Sequence, residues 1–229
     1  MSRGEKLAIS GEELAKMIDS TVVKATATKS EVEKLCKEAV QYSFGCVCVN
    51  PVYVKMAATL LKGSNVKVCS TIGFPFGVTL PEIKALEAVK AIENGAEELD
   101  MVINLSALKS GDYEAVKRDI AAVADVKRLS KKIVVKVIIE TAHLTNKEKI
   151  VACKLAKEAG ADFVKTSTGL FGKVATMEDV KLMRRTVGTR MGVKAAGGIR
   201  TYADAVAIIK AGANRIGTST AVTIIKGAP

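Results

Sequence analysis

The chain has 229 residues, 48% of them hydrophobic, which is enough to fill one substantial core; a single domain over residues 1–229 is expected. No run of about 18 apolar residues occurs, so no membrane span is expected, and the opening Met1-Ser2-Arg3-Gly4-Glu5-Lys6 lacks the apolar stretch of a signal peptide. The net charge of +11 is dispersed among acids and only 4% of residues are aromatic, with no Trp, which argues against nucleic-acid binding: bases would find few stacking platforms. A solvated basic surface that helps capture an anionic substrate is the better reading. Cys36, Cys46, Cys48, Cys69 and Cys153 are odd in number and sit mostly in apolar runs. They point to reduced thiols in a cytoplasmic protein rather than to a disulfide framework.

Strand-like runs recur along the chain near residues 17–20, 46–50, 66–72, 98–104, 134–140, 163–167, 193–196 and 215–218. Most are almost continuously apolar, as strands covered on both faces are. Between them lie helical segments with start signals. Ser10/Glu13, Ser30/Glu33, Thr79/Glu82 and Thr145/Glu148 have capping-box spacing, and Thr176/Asp179 and Thr201/Asp204 are looser versions. After Ser30, the residues Val32, Leu35, Cys36, Ala39 and Val40 share one helical face.

A short motif precedes three of the strands: Glu93-Asn94-Gly95-Ala96-Glu97, Glu158-Ala159-Gly160-Ala161-Asp162 and Lys210-Ala211-Gly212-Ala213-Asn214. Its Gly suits the left-handed position that ends a helix. No Pro/Gly-rich linker interrupts the series. Eight strand–helix units in a chain of this size predict an α/β protein of the closed (β/α)8 TIM-barrel class rather than an open sheet. An extra N-terminal helix should precede the first strand, and one short helix should follow the last.

Three lysines lie inside strand-like apolar runs: Lys136 in Val134-Val135-Lys136-Val137-Ile138, Lys165 in Phe163-Val164-Lys165-Thr166, and Lys194 in Gly192-Val193-Lys194-Ala195. Asp100 lies in a fourth such run. Strand alternation puts Asp100 on the face of Val102 and Asn104, Lys136 on that of Ile138 and Glu140, Lys165 on that of Ser167, and Lys194 on that of Ala196. If those faces point inward, three amines and a carboxylate meet inside the barrel. An ordinary lysine, with a pKa near ~10.4, is only about 0.04% neutral at pH 7. Burial and a neighbouring cation both favour the neutral amine, which attacks carbonyls to form a Schiff base. The plainer reading, that each lysine snorkels outward or pairs with an acid such as Glu140, has to hold three times over.

Glycine- and hydroxyl-rich segments close the last three strands: Thr166-Ser167-Thr168-Gly169, Ala196-Gly197-Gly198-Ile199-Arg200 and Gly217-Thr218-Ser219-Thr220. The second and third stand where this fold commonly grips phosphate. His143, the only histidine, cannot assemble a zinc site and reads as a loop residue. Cys46 and Cys48 are expected on alternating faces, with no metal-ligand spacing, so neither a metal nor a cofactor is expected. Asp19-Ser20-Thr21 is plain turn chemistry or part of a strand-end site.

Taken together, these segments resemble class I deoxyribose-phosphate aldolases over nearly the whole chain. The resemblance runs through Ile18-Asp19-Ser20-Thr21, Val47-Cys48-Val49-Asn50-Pro51, Ile72-Gly73-Phe74-Pro75 and Glu98-Leu99-Asp100-Met101-Val102-Ile103-Asn104. It continues through Lys136-Val137-Ile138-Ile139-Glu140-Thr141, the stretch 160–169, Val193-Lys194-Ala195-Ala196-Gly197-Gly198-Ile199-Arg200 and Gly217-Thr218-Ser219. It implies reversible cleavage of 2-deoxy-D-ribose 5-phosphate to D-glyceraldehyde 3-phosphate and acetaldehyde, as part of deoxyribonucleoside catabolism. By the same resemblance Lys165 forms the Schiff base, Lys194 tunes it and helps the proton transfers, and Asp100 relays the proton with Lys136 and an ordered water. Asp19, Thr21 and Cys48 would line the sugar end. Thr168, Gly169, Gly197, Gly198, Arg200, Gly217 and Ser219 would bind substrate around the phosphate. The expected partners are the phosphorylated sugar and acetaldehyde, with no nucleic acid and no membrane, and a second copy of the chain in a dimer or tetramer. Ser20 replaces a common His, Ala196 a common Ser, and Leu170-Phe171-Gly172-Lys173-Val174 a more glycine-rich stretch. Another Schiff-base barrel, such as a transaldolase, and a basic barrel that binds without chemistry are the competing readings.

Overall fold

The computed structural model describes residues 9–172 and 175–229; Lys173 and Val174, within the departing stretch after the sixth strand, lie outside the described residues. α1 (Gly11–Ala15) precedes β1 (Ile18–Val22) and α2 (Lys29–Gln41) follows it. Next come β2 (Cys46–Val49), α3 (Val54–Leu60), β3 (Lys67–Ile72), α4 (Pro81–Glu93) and β4 (Glu98–Val102). β4 is followed by two helices, α5 (Leu105–Lys109) and α6 (Tyr113–Ala124). Then β5 (Val134–Ile138), α7 (Asn146–Glu158), β6 (Phe163–Lys165), α8 (Met177–Val187), β7 (Gly192–Ala196), α9 (Tyr202–Lys210), β8 (Arg215–Thr218) and α10 (Ala221–Lys226) complete the order. All strand pairs are parallel, and β8 returns to pair with β1, so the sheet closes as the expected (β/α)8 barrel with its extra N-terminal helix. Among the described residues no helix is long and apolar enough to cross a membrane.

All eight expected strands form, but β4, β5 and β6 end two residues early. Their last residues leave the regular ladder for local tasks. Asn104 caps α5, accepting from the Ala107 N–H at 3.0 Å. Glu140 adopts a left-handed conformation at φ 53°. These turns are where strand ends become site walls.

The helix starts follow side-chain chemistry, with two corrections. Ser10/Glu13, Thr145/Glu148 and Thr201/Asp204 form reciprocal capping boxes, and Thr176 accepts from the Asp179 N–H. α2, however, is capped by Thr28 with Glu31, not by Ser30 with Glu33. The same pattern occurs twice, two residues apart; the earlier copy also lets Glu31 pair with Lys24 at 2.6 Å. α4 is not capped by Thr79, since it begins at Pro81 after Leu80. Proline's fixed φ and missing N–H suit that first position without a side-chain cap. Val40 is also half exposed, at the rim of the α2 face that buries Val32, Leu35, Cys36 and Ala39.

The repeated motif works the same way each time. Gly95, Gly160 and Gly212 take φ of 103°, 87° and 118°. The alanine that follows each donates back five residues, to Ala91, Ala156 and Ile208. The next residue then enters the sheet: Glu97, Asp162 and Asn214 donate to the carbonyls of Val68, Val135 and Val193.

Lys84, on the inner face of α4, is a buried lysine that the apolar-run criterion does not find. Its Nζ lies 2.6 Å from Asp119 on α6 and donates to the Val102 carbonyl at 2.9 Å, with both side chains inaccessible. The pair fastens α4 and α6 to the end of β4. Removing one partner of such a pair strands a buried charge. Lys84→Met should therefore lower unfolding free energy by about 3–5 kcal/mol in a denaturant titration, and adding Asp119→Leu should recover most of the loss.

Candidate active site

Alternation along the strands delivers the expected convergence. Asp100 pairs in register with Lys136, and Lys165 with Lys194. All four point into the barrel, where three ammonium groups meet one carboxylate. Lys136 Nζ lies 2.9 Å from Asp100 Oδ1, while Lys165 and Lys194 Nζ lie 2.7 and 2.6 Å from Oδ2. Gly217 makes room for this: a Cβ there would stand 3.1 Å from Lys194 Cε.

Two further carboxylates complete the network. Asp19 holds Lys194 at 2.5 Å and is gripped on its other oxygen by Arg215. Glu98 holds Lys136 at 2.6 Å and lies 3.4 Å from Arg215. Glu98 and Arg215 stand outside the apolar runs, because each opens its strand. Face parity would have found them: Glu98 is two residues before Asp100, and Arg215 two before Gly217. Burial by itself opposes the charges of Asp19, Asp100, Lys136, Lys194 and Arg215, yet the opposite charges win. Asp100 is held well below the usual carboxylate range by Lys136, Lys165 and Lys194. Asp19 is brought down to about 2, chiefly by Lys194 and Arg215. Asp100, with Glu98 and Asp19, raises Lys136; Asp100 and Asp19 raise Lys194. Both ammoniums therefore remain charged through the neutral range.

The three lysines differ in access. Lys136 and Lys194 are fully enclosed, whereas the Lys165 side chain is 4% exposed and lines a cavity of about 490 Å³ at the C-terminal end of the strands. Thr21, Thr168, Gly169, Gly197, Gly198, Arg200, Gly217 and Ser219 line the same cavity, so most of the expected substrate-binding set is brought together. Lys24 and Glu31 also line it and were not anticipated. Asp19 and Cys48 do not line it. Asp19 lies within the ion network, and Cys48 Sγ is 4.0 Å from Asp100 Oδ2. His143, expected in a loop, instead closes a single 3-10 turn, Thr141–His143, and lies edge-on to the Phe171 ring.

The expected divergence of Cys46 and Cys48 is wrong. Residues two apart in a strand share a face, and both thiols turn inward to pack with Cys69. This places Cys48, Cys69 and Asp100 together, and likewise Asp19, Cys46 and Glu98, each with ligand atoms within 4.8 Å of one another. Neither set suits a metal ion. Lys136 and Lys194 already supply positive charge to these carboxylates at 2.5–2.9 Å, and a metal would have to expel them.

Fold and site thus define a class: a (β/α)8 barrel with an amine at the foot of a glycine-lined cavity, backed by a buried ion network. The model of the DeoC/LacD family aldolases matches residues 14–225, and the chain belongs to that family. A relative named deoxyribose-phosphate aldolase from Thermococcus gammatolerans is 61% identical over 220 residues, 95% of this chain and 97% of its own. One of the same name from Clostridium perfringens is 58% identical, covering 94% of this chain and 96% of its own. A solved structure, described as a unique tetrameric structure of deoxyribose phosphate aldolase from Aeropyrum pernix, superposes with a TM-score of 0.88 at 40% identity, over 95% of this chain and 91% of that one.

The carboxylate shifts set an acid limit on stability. A carboxyl depressed on folding stabilises fully above its unfolded pKa, and the contribution is lost as pH falls through the folded value. For Asp19 the window runs from about 4 down to about 2, and Asp100 acts in the same direction. The raised lysines work in reverse: their contribution is complete below about 10.4 and is lost at higher pH. Denaturant midpoints should therefore fall steeply below about pH 4. Asp19→Asn should flatten the acid limb.

Proposed function

We propose that this chain is a deoxyribose-phosphate aldolase that cleaves 2-deoxy-D-ribose 5-phosphate reversibly to D-glyceraldehyde 3-phosphate and acetaldehyde, with Lys165 as the Schiff-base nucleophile. The observation that carries the choice of lysine is access: Lys165 alone of the three reaches the cavity. Lys194, bound to the same Asp100 oxygen, is a fixed neighbouring cation.

Lys165 attacks the aldehyde carbon of the open-chain sugar, and loss of water gives an iminium ion. That electron sink takes the pair released as the bond between the second and third sugar carbons breaks, leaving the three-carbon aldehyde phosphate and an enamine. Asp100, with Lys136 and an ordered water, moves protons at the reacting carbons. Thr168, Gly169, Gly197, Gly198, Arg200, Gly217 and Ser219 receive the phosphate, small residues allowing backbone N–H groups to come close. Asp19 acts from beneath, by fixing Lys194, and Cys48 packs beside Asp100. The fully buried free thiols fit a reducing cytoplasm. A dimer or tetramer is supported by the apolar side chains that Phe76, Val78, Leu80, Ile83 and Leu86 leave exposed along α4 and the loop before it.

Borohydride added with acetaldehyde should fix an ethyl group on Lys165, located by peptide mass spectrometry. Label on Lys194 instead would overturn the assignment. Lys165→Ala should lose at least about 10³-fold in kcat/KM while keeping its fold. Across a panel of phosphorylated sugars and keto acids, deoxyribose 5-phosphate should be the fastest substrate cleaved; a faster transaldolase or keto-acid substrate would displace the reading.

A further inference from the structure

The cavity holds a pair of charges that takes no part in the ion network beneath it. Lys24 and Glu31 both line it, together with Lys165 and with Gly197, Gly198, Gly217 and Ser219. Lys24 Nζ lies 2.6 Å from Glu31 Oε1. A carboxylate on the wall of a cavity that receives an anion repels the ligand, unless a cation stands against it.

Glu31 is fixed from its own helix. It is the third residue of α2, and its Oε2 accepts from the Thr28 N–H at 2.9 Å and from the Thr28 hydroxyl at 3.1 Å, completing the capping box. That leaves Oε1 for Lys24. Hydrogen bonds from Lys24 and Thr28 hold the carboxyl below its ordinary value, so it stays ionised at neutral pH. The backbone of Lys24 is pinned as well. Its carbonyl accepts from the Ala27 N–H at 3.1 Å and from the Asn50 side chain at 3.3 Å, which ties the loop after β1 to the end of β2. The ammonium is therefore carried from a fixed point and tethered at its tip by a fixed acid. Among the described residues Glu31 is the one acid it pairs with. An ammonium has three N–H donors, so this contact leaves donors for a ligand, whereas the carboxylate has none to offer an anion. Of the other cations that line the cavity, Lys165 is engaged by Asp100, and Arg200 belongs to the phosphate set already described.

We propose that Lys24 is a specificity-determining residue: its ammonium, tethered to Glu31, binds the phosphate of the sugar together with the glycine segments after β7 and β8, and gives the site its preference for phosphorylated over unphosphorylated sugars. This role rests on the aldolase activity proposed above and adds a side chain which that mechanism does not use. The contact is a charge-assisted hydrogen bond made to the remote end of the substrate, away from the reacting carbons. Its loss also leaves Glu31 unmasked, facing the anion.

Lys24→Met and Lys24→Arg are compared with wild type in cleavage of 2-deoxyribose 5-phosphate, in cleavage of unphosphorylated 2-deoxyribose, and in calorimetric binding of inorganic phosphate. Lys34→Met removes the same charge from an exposed position of α2 outside the cavity and is the control for bulk electrostatics. In Lys24→Met, KM for the phosphorylated sugar should rise by roughly 10-fold or more with kcat little changed, while kcat/KM for 2-deoxyribose stays within about twofold. Inorganic phosphate should bind correspondingly more weakly, and Lys24→Arg should keep most of the affinity, since a guanidinium also pairs with phosphate. An unmoved KM and phosphate affinity in Lys24→Met, an equal loss on both sugars, or an equal loss in Lys34→Met overturns the role of Lys24 and leaves Lys165 in place. Cleavage of neither sugar by wild type overturns the aldolase activity, and the phosphate titration then still decides whether Lys24 receives the anion.

Discussion

The site depends on one carboxylate that three ammonium groups share. Asp100 is wholly buried, and an isolated charge there would be prohibitively costly. So would each lysine alone. Together they are tolerable because every ion lies within hydrogen-bond distance of an opposite one, and because Asp19, Glu98 and Arg215 extend the lattice across the barrel floor. A closed parallel barrel suits this design: its strands hold inward side chains at fixed register, so the ions cannot relax apart. A buried ion lattice is weak evidence for stability, since an apolar core of equal volume would often do as well. Its persistence in the middle of the fold is therefore better explained by chemistry.

The lattice also differentiates its members. Lys136 and Lys194 each bridge two carboxylates and are enclosed, which fixes them as cations. Lys165 has Asp100 alone and shares its oxygen with Lys194. It is thus the amine with the fewest ionic partners and, of the three, the one that lines the cavity.

Much of this was legible in the sequence, because a lysine in an apolar strand is a large anomaly and strand parity is unambiguous. The barrel could be read from the strand count and the Gly-Ala motif, whose hydrogen bonds recur in each copy. What escaped was of two kinds. Glu98 and Arg215 sit at strand starts, where a charge looks solvated; closure of the barrel buries Glu98 and covers most of Arg215. Lys84 lies on a helix, where a lysine is unremarkable until Asp119 of another helix meets it. The divergence expected of Cys46 and Cys48 misapplied parity, since positions two apart share a face and both thiols turn inward. The division of the lysines into one that lines the cavity and two that are enclosed could not be read from spacing, since it depends on which strand end opens into the cavity.

With Cys46, Cys48 and Cys69 inside, the barrel holds soft, titratable groups beside its hard ions. Three ammoniums converge on Asp100, and Cys69 Sγ donates to its Oδ1 at 3.2 Å, so every polar contact of that carboxylate favours its ionised form.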